Sequence, residues 1–120
     1  MAENKYCFEY EMKVRDYECD MQGIVNNANY QHYFEHARHE FLQWAGTSFT
    51  DLRNNGIEPV VNRIEIDYKN SLHSQDWFIC KLYVRKEGIK FVFYQDIYRK
   101  SDDKICAKAR VETVCINNGK

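Results

Sequence analysis

What the chain lacks narrows it first. No apolar run approaches the roughly 20 residues of a membrane-spanning helix, and the first five residues, Met1-Ala2-Glu3-Asn4-Lys5, have none of the apolar core of a signal peptide. There is no excess of either charge. Lys and Arg number 17 against 18 Asp and Glu, so no broad basic field exists to attract nucleic acid. Cysteine pairing is also missing: Cys7, Cys19, Cys80, Cys106 and Cys115 form no CxxC, and an odd count fits a disulfide framework poorly. Free thiols in a cytoplasmic setting follow from that spacing. There is one proline, and no linker, repeat or low-complexity segment, so the 120 residues read as a single domain, 1–120.

What is present is aromatic and periodic. Tyr, Phe and Trp make up 15% of the chain, enough large rings to fill a modest core. Over 5–16, Tyr6, Phe8, Tyr10, Met12 and Val14 alternate with Lys5, Glu9, Glu11, Lys13 and Arg15, the pattern of a half-buried strand. The period then changes. Tyr30, Phe34, Ala37, Phe41 and Ala45 share one stripe, flanked by Tyr33 and Trp44, which predicts a helix over 28–45 stopped by Gly46. Residues 47–59, with Gly56 and the only proline, Pro59, read as a connecting loop. Period two returns over 60–69, where Val60, Ile64, Ile66 and Tyr68 share a face. It continues over 77–86 (Phe78, Cys80, Leu82, Val84), over 90–100, and in a last strand aligning Ile105, Ala107, Ala109, Val111 and Thr113. Glu87-Gly88 and Ser101-Asp102-Asp103 are the turns between them.

Strand, helix, then four strands joined by short turns implies antiparallel neighbours and an α+β domain. One long helix then lies on the concave face of a curled five-stranded sheet. Cystatin-like inhibitors share this element order, so order alone leaves the choice of fold open.

The loop before the helix carries the chemistry. It reads Asp20-Met21-Gln22-Gly23-Ile24-Val25-Asn26-Asn27-Ala28-Asn29-Tyr30. A helix N-terminus offers up to four backbone N–H groups without internal partners, and its dipole favours negative charge. A carboxylate beside it supplies a base or nucleophile, and Gly23 permits close backbone approach. That minimum set suffices to hydrolyse a thioester, because a thiol of pKa about 8.5 departs without a strong general acid. The plainer readings are a turn-closing aspartate and helix-capping asparagines. Tyr30 falls on the apolar stripe. Glu35 and Arg38, three apart, also read as a surface pair.

The segment resembles a motif of the hot-dog-fold acyl-CoA thioesterases, in the branch like 4-hydroxybenzoyl-CoA thioesterase: Asp-x-x-Gly-hydrophobic-Val-x-Asn-x-x-Tyr, followed by Glu and Arg, here Glu35 and Arg38. Residues 60–69 and the acidic turn Ser71-Leu72-His73-Ser74-Gln75-Asp76 look like the same family's next strand and turn. The resemblance implies the hot-dog fold, Asp20 as nucleophile or general base, and the backbone N–H of Asn27 as donor to the thioester carbonyl. Some relatives have Tyr or His where this chain has Asn27, so only a backbone role transfers. It further implies an acyl-CoA substrate, no metal or redox cofactor, and a homodimer or homotetramer whose sites lie between subunits. Tyr30, Arg85, Lys86 and Lys90 are the candidate substrate contacts, the three basic residues flanking the Glu87-Gly88 turn where they could meet coenzyme A phosphates.

A second motif competes. His32-Tyr33-Phe34-Glu35-His36 matches H-x-x-E-H, with His39 one turn on. Two histidines four apart can bind zinc, but the signature needs a distant third ligand, and only His73 remains to supply one. A non-catalytic module of the same topology is the other alternative. Cys19 beside Asp20 has no histidine next to it in sequence to activate it.

Overall fold

The computed structural model describes residues 5–46, 52 and 54–117. Residues 1–4 and most of the 47–53 stretch of the connecting loop, both interpreted above from sequence, lie outside the described residues. Five strands, β1 (Phe8–Lys13), β2 (Ile57–Tyr68), β3 (Trp77–Glu87), β4 (Lys90–Arg99) and β5 (Ile105–Asn117), form one antiparallel sheet in the order β1-β3-β4-β5-β2. The helix α1 (Asn27–Trp44) packs on its inner face, the arrangement expected from the sequence. Eighteen residues make it about 27 Å long. Gly46, at φ +91°, ends it in the left-handed region that an L side chain resists.

Cross-strand register explains the two faces. Inner-face partners are apolar: Phe8 opposes Leu82, Cys80 opposes Ile97, and Phe93 opposes Val111. Phe34, Phe78, Leu82, Ile97 and Val111 are fully buried between sheet and helix. The Tyr33 and Phe78 rings lie 4.7 Å apart, and Phe41 meets Phe8 and Phe93, so α1 sits over β1, β3 and β4. On the outer face, opposite charges oppose each other between β2 and β5, Arg63 with Glu112, Glu65 with Arg110 and Asp67 with Lys108, which pins the register.

The edge strand β2 departs from the sequence reading in two ways. It begins at Ile57, so Pro59 lies inside a strand instead of a loop. An edge strand tolerates proline because a missing N–H can fall on its unpaired side. The register also slips between Val61 and Arg63. This bulge turns Val61, and not Val60, onto the face shared by Ile64, Ile66 and Tyr68. With α1 lying over the other end of the sheet, that face is poorly covered: Val61, Ile64 and Tyr68 are 41%, 37% and 44% exposed. Among the described residues no helix is long and apolar enough to cross a membrane.

Candidate active site

The approach to α1 is built from residue 14 onward. Val14 is fully buried, and its backbone bonds to Asp76 and Gln75 anchor the chain at the end of the sheet. A single 3₁₀ turn, Asp16–Glu18, follows. Glu18 folds back so that one carboxylate oxygen accepts from the Arg15 N–H at 2.8 Å and from the Tyr33 hydroxyl at 2.8 Å. The other accepts from the Arg15 guanidinium at 2.9 Å. Burial pushes this carboxyl up, but the Arg15 bonds and the Tyr33 hydroxyl outweigh it and hold it below its ordinary value. The Glu18 carbonyl then receives Asn26 N–H at 3.2 Å and the Asn29 side-chain amide at 2.8 Å. Glu18 thus fastens the loop to the helix start.

Between these anchors the chain makes a tight hairpin. Cys19 bridges Val25, and Asp20 N–H donates to the Ile24 carbonyl at 2.9 Å. Gly23, at φ +79°, closes the turn by donating to the Asp20 carbonyl at 3.0 Å. The Asp20 side chain is exposed. Its Oδ1 accepts Gln22 N–H at 2.8 Å, while Oδ2 has no hydrogen-bond partner among the described residues. Val25 N–H reaches Leu72, and Asn26 caps α1 by accepting from Ala28 N–H at 2.9 Å. The first N–H of the helix, that of Asn27, finds no acceptor among the described residues. Asn27 instead borders a cleft of about 140 Å³ with Tyr30, Tyr68 and Ser71, and its carbonyl accepts from the Tyr68 hydroxyl at 3.3 Å.

Comparison with known proteins fits this geometry. Residues 14–120 match the model of the thioesterase-like superfamily. The chain belongs to the thioesterase-like superfamily. It is 30% identical to the acyl-CoA thioesterase YbgC of Haemophilus influenzae, over 94% of this chain and 83% of that one. It is 34% identical to the chloroplastic acyl-acyl carrier protein thioesterase ATL2 of Arabidopsis thaliana, over 92% of this chain but 59% of that longer protein. A crystal structure of a hypothetical protein from Aquifex aeolicus superimposes with a TM-score of 0.87 at 35% identity, covering 94% of this chain and 89% of the other.

The remaining candidates in this thioesterase-like chain lie in different places. Tyr30 is 3% exposed, its hydroxyl accepting Leu72 N–H at 3.1 Å, and burial pushes its phenol up. Arg85, Lys86 and Lys90 lie at the β3–β4 hairpin tip, some eight to ten strand residues from the Trp77 end where the loop docks, about 25–30 Å of strand. Within one chain they do not meet Asp20. Lys90 is 2.7 Å from Glu112, and Arg85 lies over the Tyr83 ring. His32, His36 and His39 are exposed on α1. Among the described residues no group of three or more His, Cys, Asp or Glu is placed to hold a metal ion. Burial pushes the Cys19 thiol up, and the carboxylates of Asp16, Asp20, Glu18 and Asp76 add to the effect, which keeps it from being a thiolate.

Two residues carry roles that sequence reasoning missed. Glu18 was not singled out in the sequence, and no capping signal marks it, because Arg15 at the N-cap has no side-chain acceptor such as Ser or Thr would supply. Arg38, expected on the surface beside Glu35, is instead 5% exposed. Its guanidinium donates to the Gln95 side chain at 2.9 Å, and Gln95 in turn donates to the Phe34 carbonyl at 2.9 Å. A polar residue inside β4 at the inner-face position between Phe93 and Ile97 was the available hint.

Proposed function

We propose that the protein hydrolyses an acyl-CoA thioester to a carboxylic acid and free coenzyme A. Thioester hydrolysis is the superfamily's class of reaction. The observation that carries the assignment to this site is the pairing of an open carboxylate oxygen, Asp20 Oδ2, with a vacant first-turn donor, Asn27 N–H, on one short loop. Coenzyme A is the carrier that the name of the relative YbgC gives, while the name of ATL2 gives an acyl-carrier protein.

In this reading the thioester carbonyl accepts from Asn27 N–H, where the helix dipole favours the oxyanion that forms as the carbonyl carbon becomes tetrahedral. Asp20 either attacks that carbon, giving a mixed anhydride that water then cleaves, or takes a proton from the attacking water. Collapse of the tetrahedral centre breaks the C–S bond and releases the thiolate. The working unit is a homodimer, supported by the apolar face and outer edge of β2, which no other described residue covers or pairs. All five cysteines are free, which supports a reducing, cytoplasmic setting.

The decisive experiment uses proline. Asn27 is the first helical residue, a position where proline keeps the helix but removes the N–H. Asn26, at φ −65° and ψ 139°, already has the extended conformation that a following proline requires. Asn27→Pro should stay folded and lose about 10²–10³-fold in kcat, the cost of one oxyanion donor. Asn27→Ala, which keeps the N–H, should lose far less. Equal losses in the two variants, with folding intact by circular dichroism, would remove the donor role.

A further inference from the structure

In the proposed reaction the departing sulfur gains a negative charge. Asn27 N–H is given to the oxyanion, and the Asp20 carboxylate, an acceptor, has no proton to offer the sulfur. A further donor beside Asn27 would therefore act on the step that breaks the C–S bond.

Tyr68, the last residue of β2, lines the cleft of about 140 Å³ that Asn27 borders. Its hydroxyl donates to the Asn27 carbonyl at 3.3 Å, longer than the roughly 2.5–3.0 Å usual between two oxygens, so the bond is weak and easily exchanged. Three bonds lead from that carbonyl oxygen back to the Asn27 nitrogen, about 4 Å at full stretch. The hydroxyl and the vacant N–H thus stand within about 8 Å of each other. A thioester hydrogen-bonded through its oxygen to the one and through its sulfur to the other is long enough to span them. The neighbouring polar side chains are engaged elsewhere. The Tyr30 hydroxyl is buried and holds Leu72 N–H, and the Asn70 amide is given to the Ile105 carbonyl at 2.7 Å. Among the described residues only Tyr68 has a side chain hydrogen-bonded to Asn27. Its ring is 44% exposed yet held in place, with Tyr30 edge-on at 5.4 Å and the next N–H, that of Lys69, fixed to the Cys106 carbonyl at 2.8 Å. A donor on a strand, backed by a buried ring, keeps its aim.

We infer that the Tyr68 hydroxyl turns from the Asn27 carbonyl to the sulfur of the bound thioester and stabilises the thiolate as it departs, which makes Tyr68 a third catalytic residue. The inference rests on the thioesterase reading proposed above. As the tetrahedral centre collapses, a lone pair of the oxyanion restores the C=O bond and the C–S electron pair goes to sulfur. Tyr68 gives a hydrogen bond and keeps its proton, because an alkyl thiolate is a weaker base than a phenolate. The thiolate leaves charged and takes its proton from water. A hydrogen bond to a charged group is worth more than one to a neutral carbonyl, so the exchange gains only as charge develops on sulfur, in the transition state.

Tyr68→Phe keeps the ring against Tyr30 and removes only the hydroxyl. Its kcat is compared with that of the parent on two thioesters of one acyl group, made with coenzyme A and with para-nitrothiophenol. The aryl thiolate spreads its charge into the ring and depends little on a donor. The loss on the acyl-CoA should exceed the loss on the aryl thioester about ten- to hundredfold, what a hydrogen bond to a charged group contributes. Binding reads the same contact without turnover. At about pH 9, where much of the free thiol is ionised, the calorimetric preference for coenzyme A over desulfo-coenzyme A should fall about tenfold in the variant. Equal losses on the two thioesters would reduce Tyr68 to holding the helix start and overturn the inference. A preference for coenzyme A that the variant leaves intact would overturn it as well. Asp20-dependent hydrolysis in which Tyr68→Phe shows neither effect would defeat the role of Tyr68 alone. Absence of any Asp20-dependent hydrolysis, with the preference for coenzyme A still lowered in the variant, would defeat the thioesterase reading alone.

Discussion

At the scale of single residues, the protein rests its proposed chemistry on a carboxylate that does little for folding. Asp20 is exposed and makes one side-chain hydrogen bond, within its own turn. Asp20→Asn keeps the acceptor that closes the turn and removes the charge. Turnover should fall by about 10²–10⁴-fold, the range for a lost acid–base group, while the urea midpoint hardly moves. A folded Asp20→Asn protein with near-normal turnover would sink the mechanism. Hydrolysis in ¹⁸O-water under single-turnover conditions tests the nucleophile: label in Asp20 requires an anhydride that water cleaved at the Asp20 carbonyl, and a general base acquires none. The histidines supply the opposite control. His36 is exposed, with its ring edge-on to Tyr10, so His36→Ala and prolonged chelation should both leave turnover within about twofold, the margin usual for a surface change. Loss of activity in either would revive the zinc reading.

At the scale of elements, the junction of the 3₁₀ turn and α1 decides where the loop stands. Glu18 is its fulcrum, since the 7% exposed carboxylate accepts from Arg15 and Tyr33 while its carbonyl receives Asn26 and Asn29. Removing its charge should cost at least about 1.5 kcal/mol, the low end for hydrogen bonds to a charged group. The pH dependence has a definite sign. The folded-state pKa of Glu18 lies below the ordinary 4.5, so its stabilisation is complete above that value and is lost as pH falls through the depressed one. Glu18→Gln should therefore flatten the acid limb of stability as pH falls below the ordinary carboxylate range, read by urea unfolding at several pH values. An acid limb as steep as in the parent protein would show that Glu18 does not carry it. The loop would also loosen, so KM should rise in this variant although Glu18 touches no substrate in the proposed mechanism.

At the scale of the whole molecule, the incomplete part is the β2 edge. Val61, Ile64 and Tyr68 present one apolar face on a strand that has no neighbour on its outer side among the described residues. Ile64→Lys places a charge in that face without touching Asp20 or Asn27. Sedimentation should then show a monomer, and kcat/KM should fall together with dimer content, because the proposed working unit is the homodimer. A fully active monomer at assay concentration would overturn the homodimer as the working unit.

The sequence by itself determined the elements and the chemical loop. Period-two and period-3.6 patterns placed all five strands and the helix to within a few residues, because inward-facing side chains must be apolar wherever one face is buried. The spacing of Asp20, Gly23 and Asn27 was legible because a glycine turn feeding a helix start is a local geometry, fixed by residues close in the chain. Tertiary structure decided what depends on distant partners. Arg38 lies inside because Gln95, 57 residues away, meets it on the inner face. Val61 replaced Val60 on the apolar face of β2 because pairing with β5 introduced a bulge, and one extra residue reverses side-chain direction. Pro59 could enter a strand only because β2 ended up at the edge of the sheet. The basic hairpin proved far from Asp20 within one chain because strand length, which turn chemistry does not encode, separates the two ends of β3.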